Sequence, residues 1–261
     1  MRAICLLTLA LTLTGCATPS FQSSPPRTSE HGYSLSRSAL LDQTSQTTTH
    51  LDSDRDILYM QEFGGGGIAT GLLLGPLGVA ANMAMINAQT ESDAELLKDK
   101  IGIQPRQVFI ERAQQKALKL NDGAEAKITP YLYVLKTNGE QMLIATALLI
   151  EQGEGKSKWI GKYMYQLPGK YSKPELARLD ASQQQQLSAD VSQGFDVLLD
   201  YITHEQPAMG ERTITFKSDF LAPRLNFDLT GALISQNADV TWVRTYGGIF
   251  ALRKSNFSLL N

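Results

Sequence analysis

Hydrophobic and polar residues recur along this chain with two periods, and the switches between them mark out its elements. Across 128–151 two apolar runs, ITPYLYVLK and QMLIATALLIE, flank Asn138-Gly139, the dipeptide best suited to a tight hairpin because both positions tolerate positive φ. A third strand, KWIGKYMYQL, follows the turn Gly153-Glu154-Gly155. The middle run is apolar on both faces, which predicts a central strand covered on each side. The period then lengthens: Leu187, Val191, Phe195, Leu198, Leu199 and Ile202 fall at helical spacing and predict a long helix over about 183–204 whose stripe packs on the sheet. Ser172-Lys173-Pro174-Glu175 and Ser182-Gln183-Gln184-Gln185 both fit S-x-x-E/Q, so a short helix should precede the long one. From Arg212 period two returns in TITFKSDF, LNFDLTGALI, VTWVRT and IFALRKS, an antiparallel meander.

Upstream, 57–63 (ILYMQEF) suits a strand, and 90–100 (TESDAELLKDK) suits a helix with Ser92 and Glu95 at capping spacing. A further helix should start at Pro105, carry Phe109, Ala113, Ala117 and Leu120 on one face, and stop at Asn121-Asp122-Gly123. The expected fold class is α+β: an antiparallel sheet packed by a long helix, with a glycine-rich apolar helical or hairpin segment nearer the N-terminus.

That segment, 64–86, reads GGGGIATGLLLGPLGVAANMAMI without one charge. On a helix, Gly67, Gly71 and Gly75 would form a smooth stripe open to close helix pairing. The stretch resembles the glycine-zipper segments of envelope lipoproteins. Gly75-Pro76 divides it, because proline inside a helix loses a hydrogen bond and clashes with the preceding turn. Three readings stay open: a kinked membrane span, a helical hairpin that dips into a bilayer or self-associates, and a glycine loop followed by a helix from Pro76 to about Lys100 over the sheet.

The N-terminus MRAICLLTLALTLTGC has a basic residue, a short apolar run and a small residue before Cys16, the layout of a secretory signal peptide too short to span a bilayer. Leu13-Thr14-Gly15-Cys16 resembles the lipobox of bacterial lipoproteins. The resemblance implies removal of 1–15, a diacylglyceryl thioether and an N-acyl group on Cys16, and, with Ala17 rather than Asp next, delivery to the outer membrane, facing the periplasm. Residues 16–56, rich in Ser, Thr, Gln and Pro, read as the lipidated cysteine and a flexible tether reaching on the order of 35 Å. Residues 57–104 then hold the strand, glycine segment and helix, and 105–261 the α+β body.

Chemistry changes this picture little. The two cysteines are Cys5, in the removed segment, and Cys16, so no disulfide supports the mature fold. With 24 basic and 26 acidic residues and no basic stripe, nucleic acid is not an expected partner. GGGGIATG lacks the lysine of a phosphate loop, so no nucleotide or other cofactor is expected. Asp200, His204 and Glu205 sit close near the end of the long helix, but a helix-end histidine beside a carboxylate is far commoner than a metal pair, and no metal site is assigned. Trp159, Tyr163 and Tyr165 share a strand face that suits core or rim better than a sugar or peptide platform. No catalytic motif is present. The expectation is a non-enzymatic envelope lipoprotein with an interaction or accessory role, its partners the membrane through Cys16 and either an envelope protein or a second copy. The alternative is a membrane-active or self-oligomerising glycine-zipper protein.

Overall fold

The computed structural model describes residues 21–26, 32–43, 47–61, 75–137, 140–205, 211–223 and 227–260, with backbone alone at 75–83. Among the described residues the fold is mixed α+β, a large, mostly antiparallel sheet with four helices. Its spine is the expected hairpin: β4 (Lys127–Lys136) pairs antiparallel with β5 (Gln141–Gln152), and β5 with β6 (Trp159–Ser172). Every residue of β5 after Gln141 is buried, as its apolar pattern on both faces requires.

The other edge of β4 receives two strands in parallel, β1 (Ser34–Leu35) opposite Lys127 and Ile128, and β3 (Ile57–Gln61) opposite 132–136. Pro130 lies in the gap between them. The Leu132 amide points to this edge, donating to the Asp56 carbonyl, so the N–H missing at Pro130 is one that would have found no strand beside it. A short β2 (Thr48–His50) closes this side against β3.

Four helices accompany the sheet: α1 (Gly75–Leu97), α2 (Pro105–Gln115), α3 (Lys173–Leu176) and α4 (Ala181–His204). The described part of α1 starts at Gly75 and runs unbroken through Pro76 to Leu97. Residues 90–97 are therefore the end of a longer helix, and Ser92 and Glu95 lie in its interior. Helix α2 stops earlier than expected because Ala117 turns to φ +54°. Ser172 and Glu175 form the anticipated capping box, but α4 is capped by Asp180 with Gln183, two residues before the expected pair.

The meander comprises β7 (Arg212–Ser218), β8 (Leu229–Gln236), β9 (Val240–Thr245) and β10 (Gly248–Arg253). Two features were not expected: β10 joins β6 in parallel, and a final β11 (Phe257–Leu260) pairs with β7. In a flat sheet β10 and β11 would stand four strand spacings apart, roughly 19 Å. The chain from Arg253 to Phe257 spans at most about 14 Å. The sheet must therefore curl, and two cores result. One, with Ile144, Leu148, Tyr163, Leu187, Phe195 and Leu198, lies under the helices; the other, with Tyr131, Leu143, Met164, Phe216, Val243 and Phe250, lies inside the curl.

Helix α4 approaches β5 closely at Gly194, where a Cβ would stand 2.4 Å from Thr146 Oγ1 and 3.0 Å from Leu167 Cδ2. Gly194→Ala should lower the melting temperature despite its better helix propensity, because overpacking of about 1–3 kcal/mol outweighs a gain of at most ~1 kcal/mol. Adding Thr146→Ala should recover most of the loss in the same thermal melt.

Candidate functional site

The N-terminal stretch expected as a free tether is largely docked where it is described. Tyr33, Leu41 and Leu51 are buried, and β1 and β2 belong to the sheet. Leu40 of the same stretch stays exposed, and Arg37 adds a bond to the Arg55 carbonyl at 2.8 Å and one to Asp42 at 2.9 Å. Closer to Cys16 the chain is moored at the turn between β9 and β10. The Gln22 amide donates to the Thr245 carbonyl at 2.8 Å, its side-chain oxygen accepts from the Lys162 amide at 2.8 Å, and its carbonyl accepts from Arg244 at 3.1 Å. The Trp159 indole donates to Ser23 Oγ at 3.1 Å, and the Phe21 ring meets Tyr246 at 4.8 Å. Cys16 precedes Phe21 by five residues, a reach of at most about 18 Å.

Beside this mooring lies a cleft of about 540 Å³ within the curl of the sheet. Tyr133, Met164 and Phe250 line it from the sheet, Met60, Phe220 and Leu229 from the sides, and its mouth runs along Thr245, Tyr246 and Gly247. Among the described residues Lys162 is the cation of its lining. The ammonium stands 5.6 Å from the centre of the Tyr133 ring, and no carboxylate among the described residues pairs with it. Asp228, also at the cleft, lies 3.8 Å from Lys217 instead. Burial pushes the Lys162 ammonium below its ordinary pKa, because the charged form has lost water without gaining an anion.

Two buried ionic networks brace the body. Asp93 of α1, fully buried, accepts from Tyr59 at 3.0 Å, Gln89 at 2.8 Å and Lys136 at 2.9 Å, and pairs with Lys173. Arg244 of β9 pairs with Glu205 at 3.2 Å and Glu211 at 3.1 Å, while Tyr163 donates to Glu205 at 2.6 Å. Burial raises the Glu205 carboxyl above its usual range against the opposing pull of Tyr163 and Arg244.

The residues singled out by sequence disperse. Asp200 pairs with Lys116 at 2.6 Å, His204 Nδ1 meets the Asp200 carbonyl at 2.9 Å, and Glu205 turns inward to Arg244. Tyr163 and Tyr165 are core, and Trp159 is rim. Gly75 starts the described part of α1, whereas Gly67, Gly71 and Cys16 lie outside the described residues. Lys162 and Asp93 were not anticipated, though each left a trace. Lys162 alternates with Ile160 and Met164 on one strand face, and Asp93 shares a helix face with Ala94 and Leu97. Gln22 left none in a Ser-, Gln- and Pro-rich tract. No protein-family model matches this chain, and comparison with curated proteins and with solved structures finds no match.

Burial raises the Asp93 carboxyl, but the bonds from Lys173 and Lys136 outweigh it and hold the group below its ordinary 3.8. Its stabilising contribution is therefore complete above that value and is lost as pH falls below it through the folded-state pKa. Asp93→Asn should cost up to about 3–5 kcal/mol near neutrality by leaving Lys173 without its anion and the buried Lys136 dependent on Glu140. Melting curves from pH 7 to 3 should show the variant losing less further stability on acidification than the parent.

Proposed function

We propose that this protein is a lipid-anchored component of the bacterial envelope, held by acyl groups on Cys16 in the outer membrane, facing the periplasm, with a non-enzymatic interaction or accessory role. Supporting this reading is the lipobox Leu13-Thr14-Gly15-Cys16 placed five residues before a stretch already fixed to the body. One acyl chain binds a bilayer only marginally, whereas several hold it stably, so such an anchor would be permanent. The mooring at Gln22 then makes the protein a body kept against the membrane surface. Among the described residues no helix is long and apolar enough to cross a membrane. The groups best equipped for chemistry near the end of α4 are engaged in the fold: His204 with a backbone carbonyl, Asp200 with Lys116, and Glu205 with Arg244 and Tyr163.

Cys16→Ser should abolish incorporation of labelled fatty acid and release the chain from the membrane fraction; normal labelling in that variant would overturn the reading. The pair Phe21→Ser and Gln22→Ala should leave labelling intact while loosening the mooring. Limited proteolysis of membranes should then free the body several-fold faster than in the parent.

A further inference from the structure

We infer that the cleft beside the mooring is a binding site for a single-chain anionic amphiphile, a long-chain fatty acid, with its carboxylate on Lys162 and its tail along the neighbouring Met164 and Phe250. The proposal relies on the lipid-anchored reading for the nearness of a bilayer, and on the cleft itself for the ligand's chemistry.

The charge comes first. Lys162 sits among apolar side chains, faces the Tyr133 ring, and has no acidic partner among the described residues. A partly buried ammonium among apolar side chains gains from an anion, and a bound carboxylate would favour the charged form that burial disfavours. The lining then decides what the anion is attached to. Sugars and nucleotides need several converging polar groups, whereas among the described residues this cleft sets Lys162, with the exposed Asp228 turned to Lys217, against the apolar side chains of Met60, Met164, Phe220, Leu229 and Phe250. Two methionines in that wall suit a flexible tail, since an unbranched thioether adapts to irregular shapes. At about 540 Å³ the cleft lies in the range of small-molecule pockets and takes one chain, not a two-chain phospholipid.

The source is argued from the mouth. Tyr246, 53% exposed, stands at the opening with the Phe21 ring against it, and Phe227, 57% exposed, adjoins the lining residue Asp228. Of these, Tyr246 has the apolar ring and polar hydroxyl of the side chains that settle at a membrane interface. Cys16, five residues from Phe21, brings the bilayer within about 18 Å of this rim.

The test is binding of the fluorescent fatty acid cis-parinaric acid and of its uncharged methyl ester to the full chain, kept soluble in amphipathic polymer. The parent and Cys16→Ser should each bind the acid saturably at one per chain. Lys162→Met should weaken acid binding roughly tenfold or more, as loss of a charge-assisted bond requires, while the ester binds parent and variant alike. Lys162→Arg should retain the preference for the acid. Equal loss of acid and ester in Lys162→Met, or no saturable binding by the parent and Cys16→Ser, would overturn the proposal. Binding by Cys16→Ser but not by the acylated parent would also overturn it, by showing the chain's own lipid in the cleft. Saturable acid binding in a chain that takes up no labelled acyl group would support the site and count only against the anchor.

Discussion

The guanidinium of Arg244 is 2% exposed, and the segments around it are placed by their need to satisfy it. It lies on β9 and bonds to Glu205 just beyond α4, to Glu211 just before β7, and to the Gln22 carbonyl of the N-terminal stretch. A buried cation with a missing partner costs several kcal/mol, so none of the three segments can leave without penalty to the others. The planar fork of donors makes this possible, because a lysine at the same position could not reach three directions in fixed geometry. Tyr201 stacks on the neighbouring Trp242 at 4.4 Å and carries the end of α4 onto the same strand.

From that junction the molecule divides into two faces with different tasks. Under the helices the contacts are large and complementary: Phe109 against Phe195 edge to face at 5.7 Å, flanked by the Arg112–Asp196 and Lys116–Asp200 pairs that tie α2 to α4. Inside the curl the packing leaves room, and there the mooring, the cleft and Lys162 meet. The stiff side fixes the sheet, and the sheet presents the open side beside the strip where Phe21 and Gln22 dock.

Much of the framework was legible in the sequence because it rests on periodicity. The run QMLIATALLIE announced a central strand, the stripe from Leu187 to Ile202 announced α4, and Ser172 with Glu175 announced a cap. What escaped was set by long-range partners. The stretch before Asp56 looks too polar to fold, yet three buried apolar residues and the reach of Arg37 hold its described parts in place. Pro130 argues against a central strand until the gap between β1 and β3 is known. The cleft draws on β3, β4, β6, β8 and β10, so no local pattern could have outlined it.

The last strand has a consequence for solubility. Without β11, all seven residues of β7 would present an unpaired ladder of amides and carbonyls along one side, with Ile214 and Phe216 in the same strand. Such an edge is a template for pairing with another molecule. By laying four residues, Phe257–Leu260, along it, the chain replaces a long edge with a short one whose outer positions are partly exposed. β11 thus acts as a seal on the sheet, and a change that pulled it away would open a route to aggregation and strip Phe257 from its stack on Phe216 at 5.1 Å in the core inside the curl.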